Sequence, residues 1–198
     1  MNKYNNTHVF KAREIHILII NSSEQIADLL RKMLSEFGFN CTHIADSTVE
    51  AVAMLRKKKI HLIIADTDIK IPQYTGAEPS AGIGPTKISG FDFVNRIRRS
   101  PQSPNRFIPV IMTADILEPE QIAKARDAGV NEVLPKPFTA PELCKKLEAI
   151  IDSPRTFITA PAYAGPCRRR AKADQPVAPE RRKTEIRVIR HNEHTIRY

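Results

Sequence analysis

Short apolar segments alternate with amphipathic segments along the first three quarters of this chain. Four segments rich in Ile, Val and Leu are typical of buried strands, and a fifth, more polar segment is also assigned as a strand. The segments between them, and the one after the last, carry apolar residues at helical spacing. This order predicts a parallel sheet with right-handed crossovers and helices on both faces, an α/β fold. The predicted strands lie at 15–20, 40–45, 60–65, 108–112 and 130–134.

Helix boundary signals support the same assignment. Ser47 with Glu50, and Thr139 with Glu142, fit the pattern of a capping box at a helix start. Pro119 is placed to begin a helix, and Gly129 to end it. Five helices are therefore predicted, one after each strand.

Composition excludes several classes of protein. The 198 residues are 41% hydrophobic and 27% charged, enough to bury a core, and no apolar run approaches the roughly 20 residues of a membrane helix. The three cysteines are an odd number without the spacing of a zinc site. Residues 1–12 form an N-terminal extension without the basic-then-apolar order of a signal peptide. We therefore expect a protein of a reducing cytoplasm, with no disulfide scaffold and no membrane span.

The positive charge is concentrated at the C-terminus. The chain carries a formal charge of +9, and residues 152–198 hold 11 Lys+Arg against 5 Asp+Glu, a net +6. With its prolines, this segment predicts a mostly extended basic tail, with a short hairpin near 185–198. The domain proper spans 13–151. Within it, 70–89 is rich in Gly and Pro and reads as an insertion after the third strand, serving either as a functional loop or as a spacer.

Polar residues follow the strands on one edge of the predicted sheet. In an open parallel sheet, ligands bind beyond the carboxyl ends of the strands. A carboxylate there can act as a nucleophile, a hydroxyl can donate to an oxygen, and an ammonium can hold phosphate. The residues at these positions are Asn21, Ser22, Asp66, Thr113 and Lys136.

With these residues in place, the sequence resembles the receiver domain of two-component response regulators, of the kind found in chemotaxis regulators. The match covers roughly residues 13–151. The combination of the Pro-Val-Ile-Met-Thr-Ala strand with the Lys-Pro-Phe element is specific, whereas the helix patterns are not. The segments that carry the resemblance are 61–66, 89–94, 96–98, 108–114, 128–129 and 134–138.

The resemblance implies a fold and a set of roles. The fold is the flavodoxin-like doubly wound sheet with strand order 2-1-3-4-5. Asp66 is implied to be the phosphoacceptor, Thr113 the switch hydroxyl and Lys136 the phosphate contact, with a cis peptide before Pro137. Asp68 also has a family spacing, four residues before Pro72; Asp66 is preferred because the strand from His61 then has the expected length.

Two departures from the family concern the site. The family places two acids after the first strand, where this chain has Asn21 and Ser22. Mg²⁺ prefers anionic oxygens, so a pocket made of these two residues with Asp66 and the Asp68 carbonyl is expected to bind Mg²⁺ weakly or not at all. The aromatic residue usual on the fifth strand is also missing, at Val133. Without competing acids, Lys136 is expected to pair directly with Asp66.

Two functions stay open at this stage. The first is a phosphorelay receiver that takes its phosphoryl group from a histidine kinase or phosphotransfer protein and signals by contact with a downstream protein, with no enzymatic activity of its own. The second is a degenerate, phosphorylation-independent binding module whose basic tail docks a protein or nucleic acid. A homodimer is compatible with either. The family's usual contact face would include Gln121, Lys124, Cys144 and Lys145.

Overall fold

The five predicted strands form one parallel sheet. The structure is a computed structural model that describes residues 14–70, 87–115, 118–161, 163–167 and 187–189. The sheet order is β2-β1-β3-β6-β7, which in order along the chain is the expected 2-1-3-4-5 arrangement. The fold class predicted from the sequence is therefore confirmed. The strands are β1 (Ile17–Ile20), β2 (Thr42–Ala45), β3 (Leu62–Asp66), β6 (Val110–Ala114) and β7 (Glu132–Pro135).

Five helices cover the two faces of the sheet, and each of them follows a strand along the chain. Alternate residues of β1 point into separate cores: Leu18 and Ile20 into one, Ile17 and Ile19 into the other. Helix starts are capped as expected, with Ser47 accepting from the Glu50 amide and a capping box at Thr139. None of the described helices has the length and apolar character needed to cross a bilayer. The helices are α1 (Glu24–Glu36), α2 (Thr48–Lys57), α3 (Gly90–Arg99), α4 (Pro119–Ala128) and α5 (Ala140–Asp152).

The two ends of the predicted insertion are ordered. β4 (Asp68–Lys70) and β5 (Lys87–Ser89) pair in antiparallel register, directly after β3 and directly before α3. Ile69 of β4 is fully buried and Ile88 of β5 is 8% exposed, so this pair of strands belongs to the core. Residues 71–86 lie outside the described part of the chain, as does the extension 1–12.

The chain after α5 differs from the expected extended tail. β8 (Phe157–Ala160) and β9 (Tyr163–Pro166) form an antiparallel hairpin, and β10 (Arg187–Ile189) pairs with the other edge of β8. Within the region 185–198, where a short hairpin is predicted, the described residues Arg187–Ile189 pair with β8, and the predicted hairpin stays a prediction. Residues 168–186 and 190–198 lie outside the described residues. The division of the chain at residue 152 therefore remains a prediction, and the first part of the tail is structured.

A buried arginine joins this second sheet to the first. Arg98 on α3 is 1% exposed, and its guanidinium lies 4.9 Å from the centre of the Phe157 ring. It donates to the Gly129 carbonyl at 3.2 Å, the Arg106 carbonyl at 2.9 Å and Asn131 Oδ1 at 3.4 Å. Burial lowers the pKa of Arg98 to about 9, so the side chain is still a cation at neutral pH. A buried charge is tolerated here because each of the three guanidinium nitrogens donates a hydrogen bond and an aromatic ring covers the group.

Candidate functional site

The carboxyl edge of the sheet brings the predicted acid and amine together. Asp66 ends β3 and is 8% exposed, and Lys136 follows β7, two strands away. Lys136 Nζ lies 2.8 Å from Asp66 Oδ2 and 3.0 Å from Oδ1. The Lys136–Pro137 peptide is cis, as the resemblance implies. The direct pairing of Lys136 with Asp66 expected from the sequence is therefore confirmed.

Lys136 has a second carboxylate partner that the sequence reasoning missed. Asp115, the residue after β6, places Oδ1 3.3 Å from Lys136 Nζ. Burial alone would lower the pKa of Lys136, but the hydrogen bonds and charges of Asp66 and Asp115 outweigh burial and raise that pKa above its ordinary value. Lys136 is therefore held as a cation over the whole neutral range. The Asp115 side chain is 72% exposed, and its screening by solvent leaves Asp66 as the dominant partner.

Asn21 faces Asp66 with its nitrogen and not with its oxygen. Asn21 is 3% exposed, and its Nδ2 donates to Asp66 Oδ2 at 3.0 Å. The Ser23 amide donates to Asn21 Oδ1 at 2.8 Å, in a local turn typical of Asn after a strand. That second bond fixes which end of the amide points at Asp66. The carbonyl oxygen that a metal ion would need is already used.

Both oxygens of the Asp66 carboxylate are saturated with donors. Oδ1 accepts from the Thr67 amide at 2.7 Å, from the Thr67 hydroxyl at 3.3 Å and from Lys136, and Oδ2 accepts from Asn21 and Lys136. A carboxylate offers about four lone-pair sites, and four donor atoms direct five hydrogen bonds at them here. Any new bond to Asp66 must displace one of these donors.

The hydroxyl of Thr113 lies next to this cluster but is turned away from it. Thr113 pairs with Asp66 in the register of β6 and β3, and it is 1% exposed. Its Oγ1 donates to the Ala65 carbonyl at 3.4 Å, a long bond. A rotation about its first side-chain torsion would free this hydroxyl.

Asp68 and Ser22 occupy the rim. The side chain of Asp68 is exposed in β4, and Ser22 Oγ lies 3.5 Å from the Asp68 carbonyl oxygen, at the limit of a hydrogen bond. Of the two aspartates that fit a family spacing, it is Asp66 whose carboxylate meets Lys136. Geometry therefore favours Asp66 over Asp68.

The backbone of Asp66 is held from the other side by α3. The Gly90 amide donates to the Thr67 carbonyl at 2.6 Å, and a β-carbon added at Gly90 would come within 2.1 Å of the Asp66 carbonyl oxygen. Glycine is required here because only a residue without a side chain allows this approach. The start of α3 thus fixes the peptide that carries the carboxylate.

The donor set does not fit a typical Mg²⁺ site. Mg²⁺ needs several oxygens in octahedral geometry, mostly anionic or from water. Asp66 supplies the one buried carboxylate, Asn21 presents an NH₂ group, and Ser22 contributes a hydroxyl. In the part of the chain that the structure describes, no group of three or more His, Cys, Asp or Glu is arranged to hold a metal.

Known proteins with similar sequences are chemotaxis proteins. The chain is 29% identical over 140 residues to the chemotaxis protein CheY-3 of Vibrio cholerae, a match that covers 71% of this chain and 94% of that protein. It is 28% identical over 136 residues to the chemotaxis protein CheY of Pseudomonas aeruginosa, covering 69% and 95%. No family model matches the chain.

Solved structures with a similar fold are receiver domains. CheY4 of Vibrio cholerae has a TM-score of 0.55 and 25% identity, covering 69% of this chain and 98% of that one. The receiver domain of a sensor histidine kinase from Pseudomonas aeruginosa PAO1, solved with a magnesium ion in its active-site cleft, has a TM-score of 0.54 at 20% identity, covering 70% and 98%. At that identity the second likeness shows the fold alone. The resemblance found in the sequence is thereby confirmed.

Proposed function

We propose that this chain, whose homologues are CheY chemotaxis proteins and response-regulator receiver domains, acts as the receiver in a phosphorelay, with Asp66 as the phosphoacceptor. One observation supports this assignment above the others: a nearly buried carboxylate at the end of β3 lies 2.8 Å from the Lys136 ammonium. The alternative, a phosphorylation-independent binding module, gains no support from the relatives or from the structural neighbours.

The phosphoryl transfer follows from the positions of the side chains. An Asp66 oxygen attacks phosphorus, the bond from phosphorus to a histidine nitrogen of the donor breaks, and that nitrogen takes up a proton. The product is an acyl phosphate on Asp66. Lys136 pairs with a phosphoryl oxygen, and Thr113 rotates from the Ala65 carbonyl to donate to another.

We propose that the pocket binds Mg²⁺ weakly. A metal ion bound at a receiver site would neutralise phosphoryl oxygens during transfer. Here, Lys136 and the Asn21 amide are the groups that face the Asp66 oxygens, and both are donors. Because one of the donors to Asp66 must be displaced before attack, we expect phosphorylation to be slow.

The partners follow from this role. The phosphoryl donor is a histidine kinase or a phosphotransfer protein, and the signal passes to a downstream protein by contact and not by turnover of a substrate. On the family's usual contact face, Lys124 and Lys145 are exposed, whereas Cys144 is 5% exposed and burial raises its pKa to about 12. Cys144 is therefore excluded from that face. We place the protein in the cytoplasm, where its three cysteines, none of them in a disulfide, stay reduced.

A phosphodonor experiment tests the proposal. The full chain is incubated with acetyl phosphate, and its intact mass is measured. We expect a slow gain of one phosphoryl group, abolished in Asp66→Ala and retained in Asp68→Ala, the matched control. A gain that survives in Asp66→Ala would contradict the assignment of Asp66, and no gain in the wild type after long incubation would contradict the receiver function itself.

A further inference from the structure

Three histidines lie at the end of the sheet opposite Asp66. His16 immediately precedes β1, His43 lies in β2, and His61 immediately precedes β3, on adjacent strands. The rings of His16 and His43 stack with centroids 5.5 Å apart, and the ring of His61 is tilted against His16 at 5.6 Å. About five residues of strand, roughly 16 Å, separate His61 from Asp66. The function proposed above does not use this cluster.

Hydrogen bonds connect the three rings to a lysine. Lys58 Nζ lies 3.1 Å from His43 Nδ1, and His43 Nε2 lies 3.2 Å from His16 Nδ1. The backbone amide of His16 donates to His61 Nδ1 at 2.9 Å, and the backbone amide of His61 donates in return to the His16 carbonyl at 2.9 Å. The His61 ring thus adds one bond to the start of the β1–β3 ladder.

The direction of each bond follows from the lysine. An ammonium can only donate, so His43 Nδ1 must accept and His43 Nε2 must carry the hydrogen. That hydrogen points at His16 Nδ1, which accepts in turn. His61 Nδ1 must also be an acceptor, because its partner is the backbone amide of His16, which can only donate. The network is therefore satisfied when all three rings are neutral, each with its hydrogen on Nε2.

Protonation of any ring conflicts with this network. A neutral imidazole has one nitrogen that can accept a proton, and in each of these rings that nitrogen already accepts a hydrogen bond. A proton on His43 would face Lys58, a proton on His16 would face the Nε2 hydrogen of His43, and a proton on His61 would face the amide of His16. Each event replaces a bond with a clash between two donors.

The surrounding charges act in the same direction. The pKa of His43 is lowered mainly by burial, and further by the charges of Lys58 and His16. The pKa of His61 is also lowered mainly by burial, and further by the charges of Lys59 and His16. In the folded protein the pKa values of His43 and His61 lie below 6.5. The stability that their neutral rings contribute is therefore complete above pH 6.5 and is lost as the pH falls through the folded pKa values.

We propose that Lys58, His43, His16 and His61 form an acid-sensitive latch that fastens the start of β1 to β2 and β3 and opens when its rings take up protons. Opening frays the end of β1 that lies away from the phosphoacceptor. The device depends on the hydrogen-bond directions and is independent of phosphorylation.

Hydrogen exchange of the His16 amide in the full chain reads the latch directly. After correction for intrinsic exchange, we expect this amide to lose about five- to tenfold protection between pH 7.5 and 5.5, the equivalent of one hydrogen bond. In His61→Asn, an amide oxygen replaces Nδ1 without titrating, so protection at pH 7.5 stays and the acid response disappears. Equal protection at both pH values in the wild type, or an unchanged acid response in His61→Asn, would overturn the proposal.

A second variant tests the effect of the Lys58 charge on the titration of His43. Lys58 is exposed, so Lys58→Gln folds normally while removing the charge that opposes protonation of His43. We expect an NMR titration of the His43 ring to move to higher pH in Lys58→Gln and to stay unchanged in Lys57→Gln, the matched control. If the two lysine variants titrate alike, Lys58 does not set the direction of the network and the latch is wrong.

Discussion

At the scale of single residues, the orientation of one amide decides whether a donor or an acceptor faces the Asp66 carboxylate from Asn21. The Ser23 amide holds Asn21 Oδ1, which leaves Asn21 Nδ2 to face Asp66. A donor in that place satisfies the Asp66 carboxylate without a metal, as Lys136 does from the other side. The charge of Asp66 is therefore paired with that of Lys136 within the protein.

Placing a carboxylate at position 21 should strengthen the binding of Mg²⁺. In Asn21→Asp, we expect the affinity for Mg²⁺ to rise about tenfold or more, because a carboxylate near a divalent ion contributes more than the about 1.4 kcal/mol that a tenfold change requires. Isothermal titration with MgCl₂ measures the change. Ser22→Ala is the control, and an affinity that rises equally in both variants would contradict the role given to Asn21.

At the scale of elements, α3 is attached to the rest of the molecule at both ends. Its first residue, Gly90, contacts the backbone of Asp66, and its buried Arg98 contacts Phe157 of the second sheet. Gly90 and Arg98 are eight residues apart on α3, which corresponds to about 12 Å along the helix between these two contacts. The position of the Asp66 peptide therefore depends on how α3 packs at both of these contacts.

A methyl group at the first contact should displace the helix. In Gly90→Ala, the added carbon would overlap the Asp66 carbonyl oxygen, so we expect a loss of about 1–3 kcal/mol in the free energy of unfolding and slower phosphorylation of Asp66. Urea denaturation and the phosphodonor assay measure the two effects. Ser89→Ala, which removes only the cap of α3, should cost about 1 kcal/mol and leave the rate near that of the wild type. A larger effect from Ser89→Ala would contradict this account.

At the scale of elements, the order of the strands is the feature that sequence patterns predict well. The meeting of Asp66 and Lys136 follows from strand order, because the carboxyl ends of parallel strands share an edge. Asp115 was missed because an exposed acid one residue past β6 has no periodicity to distinguish it. The orientation of Asn21 depends on a single local turn, which the residue type allows but does not dictate.

The second sheet was missed for a different reason. Pro154, Pro161 and Pro166 interrupt a segment whose strands are only four residues long, so the alternation is too short to be recognised. Arg98 was missed as a core residue because arginine on a helix is usually exposed. The ring that covers Arg98 comes from Phe157, 59 residues later, and no local pattern connects the two.

At the scale of the whole molecule, the folded unit extends beyond the region that resembles receivers. Phe157 is 3% exposed, packs edge-on against Phe107 and covers Arg98. Gly165 approaches Gly129 so closely that a β-carbon on Gly165 would lie 2.7 Å from the Gly129 Cα. The hairpin of β8 and β9 is therefore packed on the ends of α3 and α4, not merely tethered beside them.

Removing the aromatic anchor should weaken the whole domain. In Phe157→Ala, we expect the free energy of unfolding to fall by about 3 kcal/mol, because a buried ring is lost and the Arg98 guanidinium is uncovered. Urea denaturation followed by circular dichroism measures the change. Tyr163→Phe, which removes only the hydroxyl that donates to the Pro166 carbonyl, is the control and should cost about 1 kcal/mol. A Phe157→Ala protein as stable as the wild type would mean that the hairpin does not contribute to the fold.

The pairing of β10 with β8 has a topological consequence. β9 ends at Pro166 and β10 begins at Arg187, and both are strands of one small sheet with β8 between them. The intervening twenty residues, which include the basic runs Arg168-Arg169-Arg170 and Arg181-Arg182-Lys183, are thus joined to that sheet at each end. A single proteolytic cut among them would leave a nicked protein whose two pieces stay together until it is denatured, so size exclusion would show one species where a denaturing gel shows two.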